Sequence, residues 1–207
     1  MFRISSVKDT LQSINKYAPA LWGGLAFLLV MLVLSAVGEP FTLLLRYSRP
    51  ELEGMQLWRV LSAHAVHSNL THALMNSAGL FLGAILVGSQ LSGRQWCLAG
   101  GGVAVFISLA LYWFSPLTEW YVGFSGVLHG LLVLGLSLSA KRGERLHGVA
   151  VVLLIGKVAW EQLPGFDVDH LQGYIDAAVV VDAHLYGLLS GLLLALVYCI
   201  PWPTWRS

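Results

Sequence analysis

Charged residues are spaced along this chain so that five apolar stretches run without one: residues 17 to 38, 60 to 93, 95 to 118, 120 to 140 and 183 to 205. A sixth stretch, 146 to 163, holds two charges. A membrane-spanning helix needs roughly 20 consecutive apolar residues, so the pattern predicts six helices at about 21–37, 70–87, 96–114, 125–139, 148–163 and 179–200. Residues 1–20 then form a cytoplasmic tail and 38–69 a long outer connection. That connection includes Phe41 to Leu45, Trp58 and Arg59, and it is too apolar for a free loop. Part of it is expected in the membrane interface, where tryptophan is favoured. Six spans leave no room for a second domain, so 1–207 reads as one membrane domain without internal repeats.

Composition agrees with this reading. With 57% hydrophobic and 11% charged residues and a mean hydropathy of +0.71, 207 residues cannot hide their apolar surface in a soluble core. The expected fold class is therefore an all-α polytopic membrane protein. A net charge of +1 and the lack of any basic run give no sign of nucleic acid as a partner; lipid is the expected surroundings. Arg3, Lys8 and Lys16 precede an apolar segment, as in a secretory signal, but no Ala-x-Ala cleavage site follows and the segment is read as the first span.

Charge also sets an expected orientation. With the amino terminus inside, Lys and Arg fall inside at 3, 8, 94, 141, 142, 145, 206 and 16, against 46, 49 and 59 outside, with Lys157 in a span. That bias follows the positive-inside rule, and most acidic residues fall on the other side. Both chain ends are then cytoplasmic. Cys97 and Cys199 lie near the cytoplasmic face, where a structural disulfide is not expected.

One apolar stretch carries an unusual sequence, Gly123-Phe124-Ser125-Gly126-Val127-Leu128-His129. A serine between glycines at the start of a helix suggests a nucleophile, although serine at a helix start is usually a cap. Amide hydrolysis also needs a base and donors for the oxyanion. His184 opens His-x-x-Gly187-x-x-x-Gly191 in the last stretch, and the glycine stripe lets two helices approach closely. Gly126 would serve the same approach and Gly123 the turn before Ser125. His72 and Asn76, spaced i, i+4, are donor candidates; their plainer role is helix–helix hydrogen bonding. Asp182 lies roughly 200° around the helix from His184, so a Ser125–His184 dyad is expected. His129, one turn after Ser125, is expected to pack near His184.

Together these residues resemble the rhomboid intramembrane serine proteases. The resemblance covers roughly residues 55 to 200 through Trp58-Arg59, His72-x-x-x-Asn76, Gly123-x-Ser125-Gly126 and His184-x-x-Gly187-x-x-x-Gly191. It implies a six-helix rhomboid fold around a water-filled cavity, with Ser125 as nucleophile and His184 as general base. It further implies His72, Asn76 and the Ser125 N–H as oxyanion donors. Arg59 would brace the outer loop, residues 115–124, including Phe124, would help form the oxyanion hole, and His67 would be structural.

Many rhomboids carry tyrosine where this chain has His129. Together with Lys157-x-x-x-Glu161-Gln162, this looks like the rhombosortase branch, which is associated with secreted bacterial proteins carrying a carboxyl-terminal sorting tail with a Gly-Gly-rich motif, an apolar helix and a basic end. The expected substrate is such a tail and the expected location the bacterial inner membrane, with the active site facing the periplasm. Lys157 and Glu161 are one turn apart and can pair; they read either as a neutralised pair pinning the fifth helix or as a substrate-recognition element. No cofactor or metal is expected. Two other classes compete: a metal-dependent hydrolase using His64, His67 and His72, which lacks a His-Glu-x-x-His motif, and a transporter or channel using His184 and Lys157.

Overall fold

The computed structural model describes residues 24–166 and 169–199. The expected cytoplasmic tail, the first residues of the first span and the charges at 3, 8, 16 and 206 lie outside them. Ten α-helices are present among the described residues: α1 Gly24–Val37, α2 Glu39–Leu45, α3 Arg49–Glu53, α4 Arg59–Ser62, α5 Leu70–Val87, α6 Gly93–Phe114, α7 Ser125–Lys141, α8 Arg145–Glu161, α9 Asp169–Ile175 and α10 Val181–Cys199. The protein is a polytopic all-α membrane protein, and its six predicted helices correspond to α1, α5, α6, α7, α8 and α10.

Three of these are long and apolar enough to cross a membrane: Leu70–Gln90, where a 3-10 turn extends α5, Gly93–Phe114 and Val181–Cys199. A fourth span arises if α1 and α2, bent by 119° at Gly38 (φ 96°), count as one. Helices α7 and α8 have 17 residues each, about 25 Å at 1.5 Å per residue, short of a hydrocarbon core of roughly 30 Å. Helix α6 starts three residues earlier than expected because Ser92 and Gln95 form a capping box.

Helix α7 is central. It is apolar all round, as a surrounded helix must be, and it packs against α5, α6, α8 and α10. Glycines set its distance from α10. A Cβ on Gly126 would stand 2.7 Å from the Ala183 carbonyl oxygen, and one on Gly130 2.7 Å from that of Gly187. Conversely, Cβ atoms on Gly187 and Gly191 would overlap the Gly126 and Gly130 carbonyls. The two backbones are in direct contact.

The outer connection is ordered by its own hydrogen bonds. Short strands β1 (Tyr47–Ser48) and β2 (Trp120–Tyr121) pair antiparallel, which ties the connection to the segment just before Ser125. The Arg49 guanidinium donates to the carbonyls of Leu111, Tyr112 and Ser115, at the end of α6 where carbonyls run short of helical donors. Buried Arg59 donates to the carbonyls of Leu43 and Arg46 at 2.8 Å each and to Gln56. It therefore joins parts of the connection to one another, whereas Arg49 and Ser108, whose hydroxyl donates to the Val60 carbonyl, link the connection to α6. Exposed Trp58 reaches the Leu44 carbonyl at 3.3 Å.

Candidate active site

Ser125 is the first residue of α7. Gly123 reaches it with φ 114°, a conformation that side chains with a Cβ rarely adopt. Tyr121 Oη donates to the Gly123 carbonyl at 2.6 Å, which leaves the Phe124 N–H on the opposite side of that trans peptide. The N–H groups of the first α7 turn have no acceptor within the helix.

Across the glycine contact, buried His184 turns Nε2 to within 2.9 Å of Ser125 Oγ. The expected pairing is thus present in space, 59 residues apart in sequence. His129 stacks on His184, with ring centroids 4.3 Å apart and planes 21° apart. Its Nδ1 lies 2.7 Å from the Ser125 carbonyl oxygen, so His129 contacts the serine backbone and leaves the hydroxyl to His184.

The expectation that His184 has no acidic partner needs correction. Asp182 does face elsewhere, accepting from Ser115 Oγ. The partner is Glu161, whose Oε2 lies 3.0 Å from His184 Nδ1, so the arrangement is larger than a dyad. Sequence gave no means to join residues 23 apart on two helices. The recognition role considered for Glu161 fits poorly with its burial against His184. Glu161 Oε1 also pairs with Lys157 at 2.6 Å, as the one-turn spacing predicts, and Lys157 Nζ lies 2.8 Å from His129 Nε2.

On the other side of Ser125, α5 brings His72 and Asn76 against Gly123: a Cβ there would stand 2.8 Å from His72 Nε2 and 3.6 Å from Asn76 Nδ2. Asn76 Nδ2 is buried without a hydrogen-bond partner. Since buried polar groups are normally paired, it is a donor in waiting. His72 differs. Ser68 Oγ donates to the Ile175 carbonyl and lies 3.0 Å from His72 Nδ1. With its one proton committed, Ser68 accepts from Nδ1–H, and neutral His72 presents a lone pair at Nε2. A cavity of about 440 Å³, lined by His72 and residues 117–122 and 177–182, opens beside this group.

The histidines of the metal reading do not converge. His64 Nε2 is 3.1 Å from Ser108 Oγ, and His67 meets His72 edge to face at 4.9 Å. Among the described residues, the group with ligand atoms within 4.8 Å of one another is His129, Glu161 and His184. Their nitrogen and oxygen atoms already hold Ser125, Lys157 and each other, so a metal would have to displace them. Sequence reasoning also passed over Gly130, four residues after Gly126, and Ser68, four before His72. Both spacings were readable.

The helices define a multi-pass membrane protein that carries a partly buried serine–histidine contact at the end of its central helix. Residues 54–201 match the model of the Rhomboid domain family, and the chain belongs to that family. A protein of Bacillus subtilis (strain 168) named "Putative rhomboid protease YdcA" is 28% identical over 138 residues, covering 67% of this chain. The match spans 65% of that relative's length.

Proposed function

We propose that this protein is an intramembrane serine endopeptidase with Ser125 as nucleophile and His184 as general base. The observation that carries the reading is the 2.9 Å contact between Ser125 Oγ and His184 Nε2, within the reach that proton transfer requires. In the reaction, Oγ attacks the scissile carbonyl carbon as its proton passes to Nε2. The resulting oxyanion is stabilised by Asn76 Nδ2 and the backbone N–H groups of Ser125 and Phe124. Collapse expels the amine, which takes the proton from His184, and water then hydrolyses the acyl-enzyme by the same route. His72 adds a donor only when its ring is doubly protonated, because its neutral form holds the proton at Nδ1.

Rhomboid membership and the relative's name support this chemistry, and the depth of the site within an apolar bundle suits a transmembrane substrate. The finer reading is a rhombosortase that cleaves a Gly-Gly-type carboxyl-terminal sorting tail. Its support is His129 stacked on His184 where many rhomboids have tyrosine, together with the Lys157–Glu161 pair. The charge bias supports a bacterial inner-membrane location with both termini cytoplasmic and the site facing the periplasm.

The test is labelling of purified protein by a serine-directed fluorophosphonate, alongside cleavage of a membrane-inserted substrate bearing a Gly-Gly tail. Ser125→Ala should abolish both, His184→Ala should abolish cleavage, and chelator should affect neither. Labelling that survives Ser125→Ala would overturn the reading. Cleavage of unrelated transmembrane segments at equal rates would remove the sorting-tail specificity alone.

A further inference from the structure

We propose that Glu161 is the positioning carboxylate of His184, and that Lys157 holds it in place while fixing the protonation of His129. The inference rests on the Ser125–His184 reading above and goes beyond it in placing a hydrogen-bonded network of four residues behind the serine.

The proton positions follow from what each group can do. An ionised carboxylate only accepts hydrogen bonds, so the 3.0 Å contact from Glu161 Oε2 places a proton on His184 Nδ1. The opposite nitrogen of neutral His184 then carries a lone pair, aimed at Ser125 Oγ 2.9 Å away. That is the tautomer a general base needs. When Nε2 takes the serine proton, the imidazolium finds its counter-charge already in contact.

Glu161 is badly placed to stay there alone. It is buried, and it is the last residue of α8, where the negative end of the helix dipole disfavours an anion. A buried charge without a partner is costly. Lys157, one turn back, supplies the partner at 2.6 Å on the other carboxylate oxygen.

Lys157 does a second thing. Its ammonium can only donate, so the 2.8 Å contact to His129 Nε2 fills that lone pair. The remaining proton of neutral His129 is on Nδ1, directed at the Ser125 carbonyl 2.7 Å away. His129 is thus held uncharged in the ring stacked on His184, and the imidazolium formed during attack meets no like charge across the stack. One lysine sets both neighbours of the base.

A purely structural ion pair would explain Lys157 and Glu161 without any of this, and the two accounts part on the double variant. Turnover of the tailed substrate, Ser125 labelling rate and thermal unfolding are measured for Glu161→Gln, Lys157→Met and Glu161→Gln/Lys157→Met. If Glu161 positions His184, Glu161→Gln lowers kcat by roughly 10²-fold to 10⁴-fold, the upper figure being the drop that changing an orienting carboxylate to its amide produces in a serine protease. KM stays within a few-fold, and the double variant is no better than Glu161→Gln. If the pair is only structural, removing both charges restores turnover towards wild type, and that result overturns the proposal. Glu161→Asp covers the case in which Glu161→Gln does not fold: it keeps the charge but shortens the reach to His184, so kcat must still fall, and wild-type kcat in this variant also overturns the proposal. Failure of the underlying reading looks different, since Ser125→Ala would then retain turnover.

Discussion

Replacing Gly187 by alanine tests whether backbone contact between α7 and α10 sets the distance between serine and histidine. The added Cβ would stand 2.0 Å from the Gly126 carbonyl oxygen, where real Cβ atoms essentially never come under 3.0 Å, an overlap of 1 Å or more. Neither side can yield by a rotamer change, because the obstacle is backbone, so the helices must part by about that amount. Overpacking of this kind costs about 1–3 kcal/mol. Gly187 sits one turn from His184, and Gly126 follows Ser125. The same separation therefore stretches the 2.9 Å contact past the roughly 3.2 Å limit for proton transfer. A misplacement of about 1 Å costs on the order of 10²-fold in rate. The assay is turnover of a membrane-inserted substrate, with thermal unfolding and fluorophosphonate labelling of the same preparation. Gly102→Ala is the control: an added Cβ there meets nothing within 4 Å, and alanine is the better helix former, so activity and stability should hold. Gly187→Ala turning over within a few-fold of wild type would refute the claim that this contact positions the pair.

Two further outcomes are expected. Asn76→Ala should reduce turnover by about 10²-fold or more, as loss of an oxyanion donor does, whereas His72→Ala at neutral pH should cost clearly less because neutral His72 offers a lone pair at Nε2; equal losses in kcat would reverse the assignment of donors. Acidification should destabilise the outer connection through His64, whose Nε2–H is given to Ser108 and whose buried Nδ1 has no partner. Burial pushes His64 down to about 4, from 6.5 in the unfolded chain. Between those values the unfolded state binds more protons, so stability is full above pH 6.5 and is lost as pH falls towards 4, by on the order of 3 kcal/mol. The thermal midpoint of His64→Gln should decline less over this window, and an unchanged slope would assign the acid sensitivity to other groups.

The linear pattern carried much of this protein. Gaps between charges are enough to locate apolar helices because a charge inside hydrocarbon is costly, and among the described residues each of the six apolar stretches holds a helix. Motif spacing named Ser125, His184, His72 and Asn76, since these residue types are rare at such depth without a task, and the i, i+4 rule foresaw the Lys157–Glu161 pair. What spacing along one helix could not supply was the rotation and approach of one helix against another. Asp182 is two residues from His184 yet bonds Ser115, while Glu161, 23 residues away on α8, touches His184. The proton on His72 was likewise invisible, because it depends on Ser68 meeting a carbonyl 107 residues further on. Sequence by itself determined which side chains lie at membrane depth and which chemistry they offer; only the tertiary structure decided which of them meet and which nitrogen carries each proton, because hydrogen bonds depend on distances of a few tenths of an ångström that helix packing alone fixes.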